Sequence, residues 1–131
     1  MKTGVLAALA AVLVSACAAP GSGVANLSGL ADSRWVLAGS SAPVDLSFQG
    51  LTQVSGSAGC NRYTGPAKVE GAQLRLGPVA ATRRMCPGDA MAVESRVLKA
   101  LDETRQARIE GQYLVLLDAA AKEVLRLTRQ P

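Results

Sequence analysis

The chain of 131 residues contains no histidine and only four aromatic side chains, one Trp, two Tyr and one Phe. Without imidazole, the usual general base near neutral pH and the commonest zinc ligand are both missing. His-dependent catalysis is therefore excluded, and a metal site would have to be built from carboxylates or thiolates alone. Charge is sparse as well: 18% of residues are charged, 14 basic against 10 acidic. That balance is too small for a nucleic-acid footprint, and the basic residues are scattered apart from the pair Arg83-Arg84. Long apolar runs are also lacking. The longest, Gly4 to Val14, falls well short of the roughly twenty residues that cross a bilayer core. What is present is a 49% hydrophobic chain with glycine and proline spread among turns. This composition implies one folded domain and excludes disordered or collagen-like sequence.

The apolar run has a short positive start, Met1-Lys2-Thr3, and ends in Val14-Ser15-Ala16-Cys17, so it reads as a secretory signal. Those last four residues resemble the lipobox of bacterial lipoproteins, in which the cysteine receives the lipid. The resemblance implies a signal peptide over 1–16 and a mature chain starting at a lipidated Cys17; the alternative is an ordinary secretory signal with a cysteine near its cleavage site. Acyl chains contribute about 0.8 kcal/mol per buried CH2, and two or three of them hold a protein stably to a membrane. Ala18 stands where Asp usually marks inner-membrane retention. The implied location is thus the outer membrane of a Gram-negative cell, with the domain facing the periplasm, a membrane partner through the lipid and no nucleic-acid partner. Residues 17–30, rich in Ala, Gly, Ser and Pro, read as the lipidated N-terminus and a flexible tether, and 31–131 as the domain.

With Cys17 assigned to lipid, Cys60 and Cys86 remain in an oxidising compartment, and a disulfide is the natural reading. Closing that loop stabilises by about 3.5 kcal/mol in the chain-entropy picture, less any strain. Two separate buried thiols are the alternative, because spacing alone does not bring their Cα atoms within reach.

Short segments of strand character follow one another from Trp35 to Thr82, with Gly or Pro at nearly every junction. Two turns use a Glu-Gly pair between apolar alternations, VEGAQLRL from Val69 and IEGQYLVL from Ile109, and each reads as a β-hairpin. Ala90 to Leu101 has a different period. Ala90, Val93, Val97, Leu98 and Leu101 share one face while Arg96, Lys99 and Asp102 lie opposite, so an amphipathic helix is expected with Asp89 as its N-cap. Strand pattern returns after Arg105. The expected fold class is α+β, a curved antiparallel β-sheet of short strands packed on one main α-helix.

The most distinctive stretch is GCNRYTG, Gly59 to Gly65. It reads as a tight turn pinned by Cys60, in which Asn61, Arg62 and Tyr63 either satisfy buried backbone groups or form a polar ligand site. Together with ATRRMCPGDAM from Ala81 and a following helix carrying Glu94, it resembles the META-domain family, which includes HslJ-like bacterial lipoproteins. Trp35, Cys60, Asn61, Thr82, Met85, Cys86 and Glu94 match the family pattern in order, over about Trp35 to Thr128. The resemblance implies the META fold, a cell-envelope setting and a loose association with heat shock and stress. It implies no catalytic residues and no cofactor.

Glu94 falls inside the apolar arc of the helix, so its carboxylate is expected to be partly buried. A buried carboxylate needs a partner, and Arg62, Arg83 and Arg84 are the candidates. The expected role is to tie the helix to the Cys60 or Cys86 loop. Catalytic readings find little support: the serines have no base, Cys60 and Cys86 are not a CxxC pair, and no motif nominates two acids for hydrolysis of envelope polymers. The sequence thus points to a non-enzymatic, lipid-anchored envelope module related to stress, binding an envelope ligand. The rival reading is a binder of periplasmic proteins, an enzyme inhibitor or chaperone-like.

Overall fold

The computed structural model describes residues 26–131. A 3-10 turn, Leu27–Leu30, precedes nine strands and one helix: β1 Arg34–Val36, β2 Asp45–Gln49, β3 Gln53–Ser57, β4 Arg62–Glu70, β5 Gln73–Leu76, β6 Ala80–Ala81, α1 Ala90–Glu103, β7 Gln106–Glu110, β8 Tyr113–Leu117 and β9 Glu123–Gln130. The signal peptide, Cys17 and most of the expected tether lie outside the described residues. Among the described residues, no helix is long and apolar enough to cross a membrane.

All strands pair antiparallel in one sheet of order β3-β2-β1-β9-β8-β7-β5-β4-β6, and β3 also pairs with β4. That pairing closes the sheet on itself, with β6 attached alongside the first half of β4. The expected α+β layer of short strands on one helix is therefore wrong. The domain is a large, mostly β, nine-stranded antiparallel sheet with a single helix. The cause lies in β4, which runs as one strand from Arg62, inside the stretch expected to be a turn. Its first half pairs with β3 through Gln53↔Pro66 to Ser57↔Arg62, and its second half pairs with β5 through Ala67↔Leu76 to Glu70↔Gln73. A strand long enough to hold two neighbours in succession curls the sheet into a barrel rather than laying it on a helix.

Alternation fills the barrel. Leu46 and Phe48 of β2, Val54 of β3 and Leu74 and Leu76 of β5 point inward and are buried, each worth about 1.5–3 kcal/mol by transfer from water. The two Glu-Gly hairpins form as expected: Gly71 (φ 58°) and Gly111 (φ 59°) take the left-handed first position of two-residue loops between Glu70↔Gln73 and Glu110↔Tyr113.

The two ends of the barrel are covered differently. At one end, Leu27 and Leu30 are buried in the core. Ser33 Oγ donates to Leu30 O at 2.6 Å and accepts from Trp35 Nε1 at 2.7 Å, and Asp32 Oδ1 accepts the Gly50 N–H of the β2–β3 turn. The packed domain therefore includes residues assigned to the tether, because two leucines three positions apart cover the open end of the barrel. At the other end lies α1, which meets the β1–β2 loop at Leu37 to Ser41 and the β3–β4 loop at Gly59. Its buried face is Val93, Glu94, Val97, Ala100 and Leu101. Asp89 makes no side-chain cap bond to the helix, contrary to expectation; its carboxylate accepts from Ser41 Oγ at 2.6 Å and so ties the helix start to the β1–β2 loop.

Candidate functional site

The chain leaving β3 makes a short turn through Ala58 to Asn61, and the segment after β6, Thr82 to Asp89, passes beside it before α1 begins. Cys60 and Cys86 join the two through a disulfide with Cα atoms 5.8 Å apart. Beneath it Asn61 is 2% exposed, and all of its polar groups are used. Its Oδ1 accepts from Arg84 N–H at 2.6 Å and from Thr82 Oγ1 at 2.8 Å. Its Nδ2 donates to Arg84 O at 3.0 Å and to Glu94 Oε2 at 3.2 Å. The backbone N–H of Asn61 donates to Glu94 Oε1 at 2.8 Å, and its carbonyl accepts from Ala58 N–H. Thr82 Oγ1 in turn accepts from Arg62 N–H at 3.2 Å. A carboxamide holds this place because it alone offers two acceptor sites and two donors on one small planar group.

Glu94 therefore does tie the helix to the Cys60 loop, but not through a cation. Both its oxygens are held by Asn61 donors, and no arginine pairs with it among the described residues. The expected Arg62, Arg83 or Arg84 partner fails because these side chains point to solvent. Charge-assisted bonds to a backbone N–H and an amide stand in for the ion pair and avoid desolvating a guanidinium.

Tyr63, the next inward residue of β4, belongs to the core. It is 3% exposed, and its hydroxyl donates to Asp45 O at 2.8 Å. Burial, reinforced by the nearby Asp45 carboxylate, pushes its phenol well above the ordinary value, so it stays a protonated donor at physiological pH. Gly56, its cross-strand partner, is glycine of necessity, since a Cβ there would collide with the Asp45 carbonyl.

The expected site residues thus separate into two groups. Cys60, Asn61, Thr82, Cys86 and Glu94 come together as one clamp with no polar group left over for chemistry. Among the described residues no buried side-chain nitrogen or oxygen lacks a partner, and no cluster of three His, Cys, Asp or Glu side chains is present. Arg62 contributes only its backbone, and Tyr63 packs inside. Met85 does the opposite of packing: it is 84% exposed, and with Arg83 and Arg84 it forms the outer surface of the clamped segment. Arg84 acts not through the side chain expected to pair with Glu94 but through its backbone: its N–H and C=O both bond Asn61, and no side-chain pattern reports that.

A closed antiparallel barrel, capped at one end by a helix and stapled beside it by a disulfide and a saturated asparagine, defines the structural class. The META domain model matches residues 25–131, and the chain belongs to the META-domain family. Two solved structures are similar. One, an NMR structure of a protein from Burkholderia xenovorans, has a TM-score of 0.64 at 24% identity, covering 77% of this chain and 83% of that one. The other, also an NMR structure, has a TM-score of 0.60 at 26% identity, covering 76% and 91%. No curated protein matches the chain significantly.

Proposed function

We propose that this META-domain protein is a non-enzymatic, lipid-anchored module of the cell envelope that binds a periplasmic protein through the segment Arg83-Arg84-Met85, in keeping with the stress setting its family suggests. The observation that carries the reading is a large apolar side chain held at 84% exposure between two arginines and a disulfide. Three hydrogen bonds between Asn61 and Thr82 or Arg84 fix the segment that presents it, and two more hold Asn61 itself to Glu94 of the helix. A loop fixed before binding loses little conformational entropy on binding, and Arg and Met are enriched at protein interfaces.

The placement of the loop favours a protein over the membrane as its partner. Asn26 enters the barrel at the end covered by Leu27 and Leu30, beside the β2–β3 turn, whereas Arg83 to Met85 lie at the α1 end, a full strand length away. Cys17 precedes Asn26 by nine residues, a chain that reaches at most about 30 Å. Acylation of Cys17 would hold the Asn26 end toward the bilayer and direct the arginine–methionine loop into the periplasm. A rigid surface also suits a stoichiometric partner, such as an inhibited enzyme, better than chaperone-like capture of many clients.

Photo-crosslinking in intact cells tests the reading. A photoreactive residue at Met85 should give one discrete protein adduct that is lost in Arg83→Glu/Arg84→Glu, while the same residue at exposed Thr64 gives none. Equal labelling at both positions would overturn it. Intact mass from membrane fractions checks the anchor: a chain without lipid on Cys17 removes that part of the proposal.

A further inference from the structure

The ring of strands is thinnest between β5 and β7, which pair at the single position Gln73↔Gln106. Beside this seam the β4–β5 hairpin and the α1–β7 junction diverge and leave a cleft of about 600 Å3, lined by Lys68, Glu70, Gln73, Arg75, Arg105 and Gln106 among others. Its charge is one-sided. Lys68 and Arg75 are direct cross-strand partners, an arrangement of like charges that costs stability in a sheet. Arg105 faces them from across the seam, with its Nη1 anchored on Asp102 O at 2.6 Å and Thr104 O at 2.8 Å. Among the described residues Glu70 is the only acid lining the cleft, and it is engaged with Lys68 at 3.4 Å. Arg75 has no ionic partner among the described residues. On the far side of Arg105, Glu103 pairs with Lys99, and Asp118 accepts the N–H groups of Ala120 and Lys122; neither acid lines the cleft.

We infer that the cleft at the β5–β7 seam binds a small oxyanion ligand, with a phosphate or carboxylate group seated between Lys68, Arg75 and Arg105. Three cations against one carboxylate supply the charge that such a group complements. Arginine offers parallel donors that match the oxygens of either group, and the tethered Arg105 presents its remaining donors without free rotation of the head. Gln73 and Gln106, paired at the seam, add neutral donors for a hydroxyl or amide on the same ligand. The volume exceeds that of one phosphate and lies within the range of small-molecule sites. This site is separate from the Arg83–Met85 loop and does not depend on it.

Titration of the full domain with pyrophosphate and, separately, citrate, followed by amide NMR shifts at 0.15 M salt, tests the inference. At this ionic strength isolated surface charges are largely screened. Saturable shifts are expected at Lys68, Gln73, Arg75, Arg105 and Gln106, and whichever anion binds more tightly identifies the ligand as phosphate- or carboxylate-bearing. Arg75→Gln, at an exposed position that makes no side-chain bond among the described residues, should weaken binding at least tenfold, whereas Arg62→Gln, outside the cleft, should leave it unchanged. Absence of saturation with both anions would overturn the site. So would shifts spread over all surface cations, or binding that Arg75→Gln leaves intact.

Discussion

The two ends of the barrel solve one problem, covering an open core, by opposite means. At the Asn26 end the cover is apolar: Leu27 and Leu30 are buried, and Ser33 links the turn to the Trp35 indole. Arg129 adds its guanidinium over the same indole, 4.5 Å from the ring centre. At the α1 end the helix supplies Val93, Val97 and Leu101, but the segment beside it is held by polar bonds and a disulfide. The contrast has a physical reason. A loop whose side chains pack inward is fixed by hydrophobic burial, whereas one whose side chains point outward receives none and must be fixed through its backbone. Thr82 to Met85 are all exposed, and Asn61 holds the segment by the Thr82 hydroxyl and the Arg84 N–H and C=O.

The largest break in that comparison comes from the disulfide. Cys60→Ser/Cys86→Ser should lower stability by about 3.5 kcal/mol, the loop-closure contribution for a sequence separation of 26. Chemical denaturation gives the total, and hydrogen exchange shows where it falls. Amides of Arg84 and Asn61 should lose protection while those of Ser33 and Trp35 keep theirs up to the global limit. Equal loss at both ends would show that the clamp is not a local device, and the distinction between the ends would fail.

Much of this could be read in the chain. Period-two alternation placed the strands, and the Glu-Gly pairs placed both long hairpins because glycine at a left-handed position leaves few alternatives. The 100° spacing put Glu94 on the buried face of α1, which was enough to foresee its tie to the Cys60 loop. Closure of the sheet was not legible. It depends on β3 pairing with β4 across the GCN turn and on β4 continuing past Gly65, and register between segments is set by tertiary packing, not by local pattern. Leu27 and Leu30 were hidden for a related reason, since two apolar residues in a Gly- and Ser-rich stretch carry no period. The partner of Glu94 differs from the expected arginine because charge pairing is the obvious rule for a buried acid, and neutral N–H donors such as those of Asn61 leave no mark in sequence. The cations of the seam are scattered over positions 68 to 105, and only the fold collects them.

Glu94→Gln sharpens the comparison at a single bond. The substituted side chain keeps one acceptor, but its amide nitrogen must face either the Asn61 N–H or Asn61 Nδ2, donor against donor in a buried site. The expected loss is about 1–3 kcal/mol, read as a lower melting temperature, with the larger exchange increase at Asn61 and Arg84. An unchanged melting temperature would remove Glu94 from the clamp and leave the disulfide as the main fixing element at that end.

Tyr63 lies two residues from Asn61 on the α1 side of the barrel, paired with Gly56 and Ala81, and gives the smallest effect. Removing its bond to Asp45 O in Tyr63→Phe should cost about 1 kcal/mol at neutral pH. The pH dependence separates this bond from simple packing. Burial raises the phenol above its ordinary value in the folded state, so up to about pH 10 both states keep the proton and the group adds no slope. Above that the unfolded chain releases its proton first and binds fewer protons than the folded one, and stability falls as pH rises. Denaturation midpoints from pH 8 to 11 should therefore decline more steeply in the wild type than in Tyr63→Phe, and the two curves should converge toward the alkaline end. Parallel curves would mean that the phenol ionises alike in both states, and that Tyr63 supports the barrel through its ring alone.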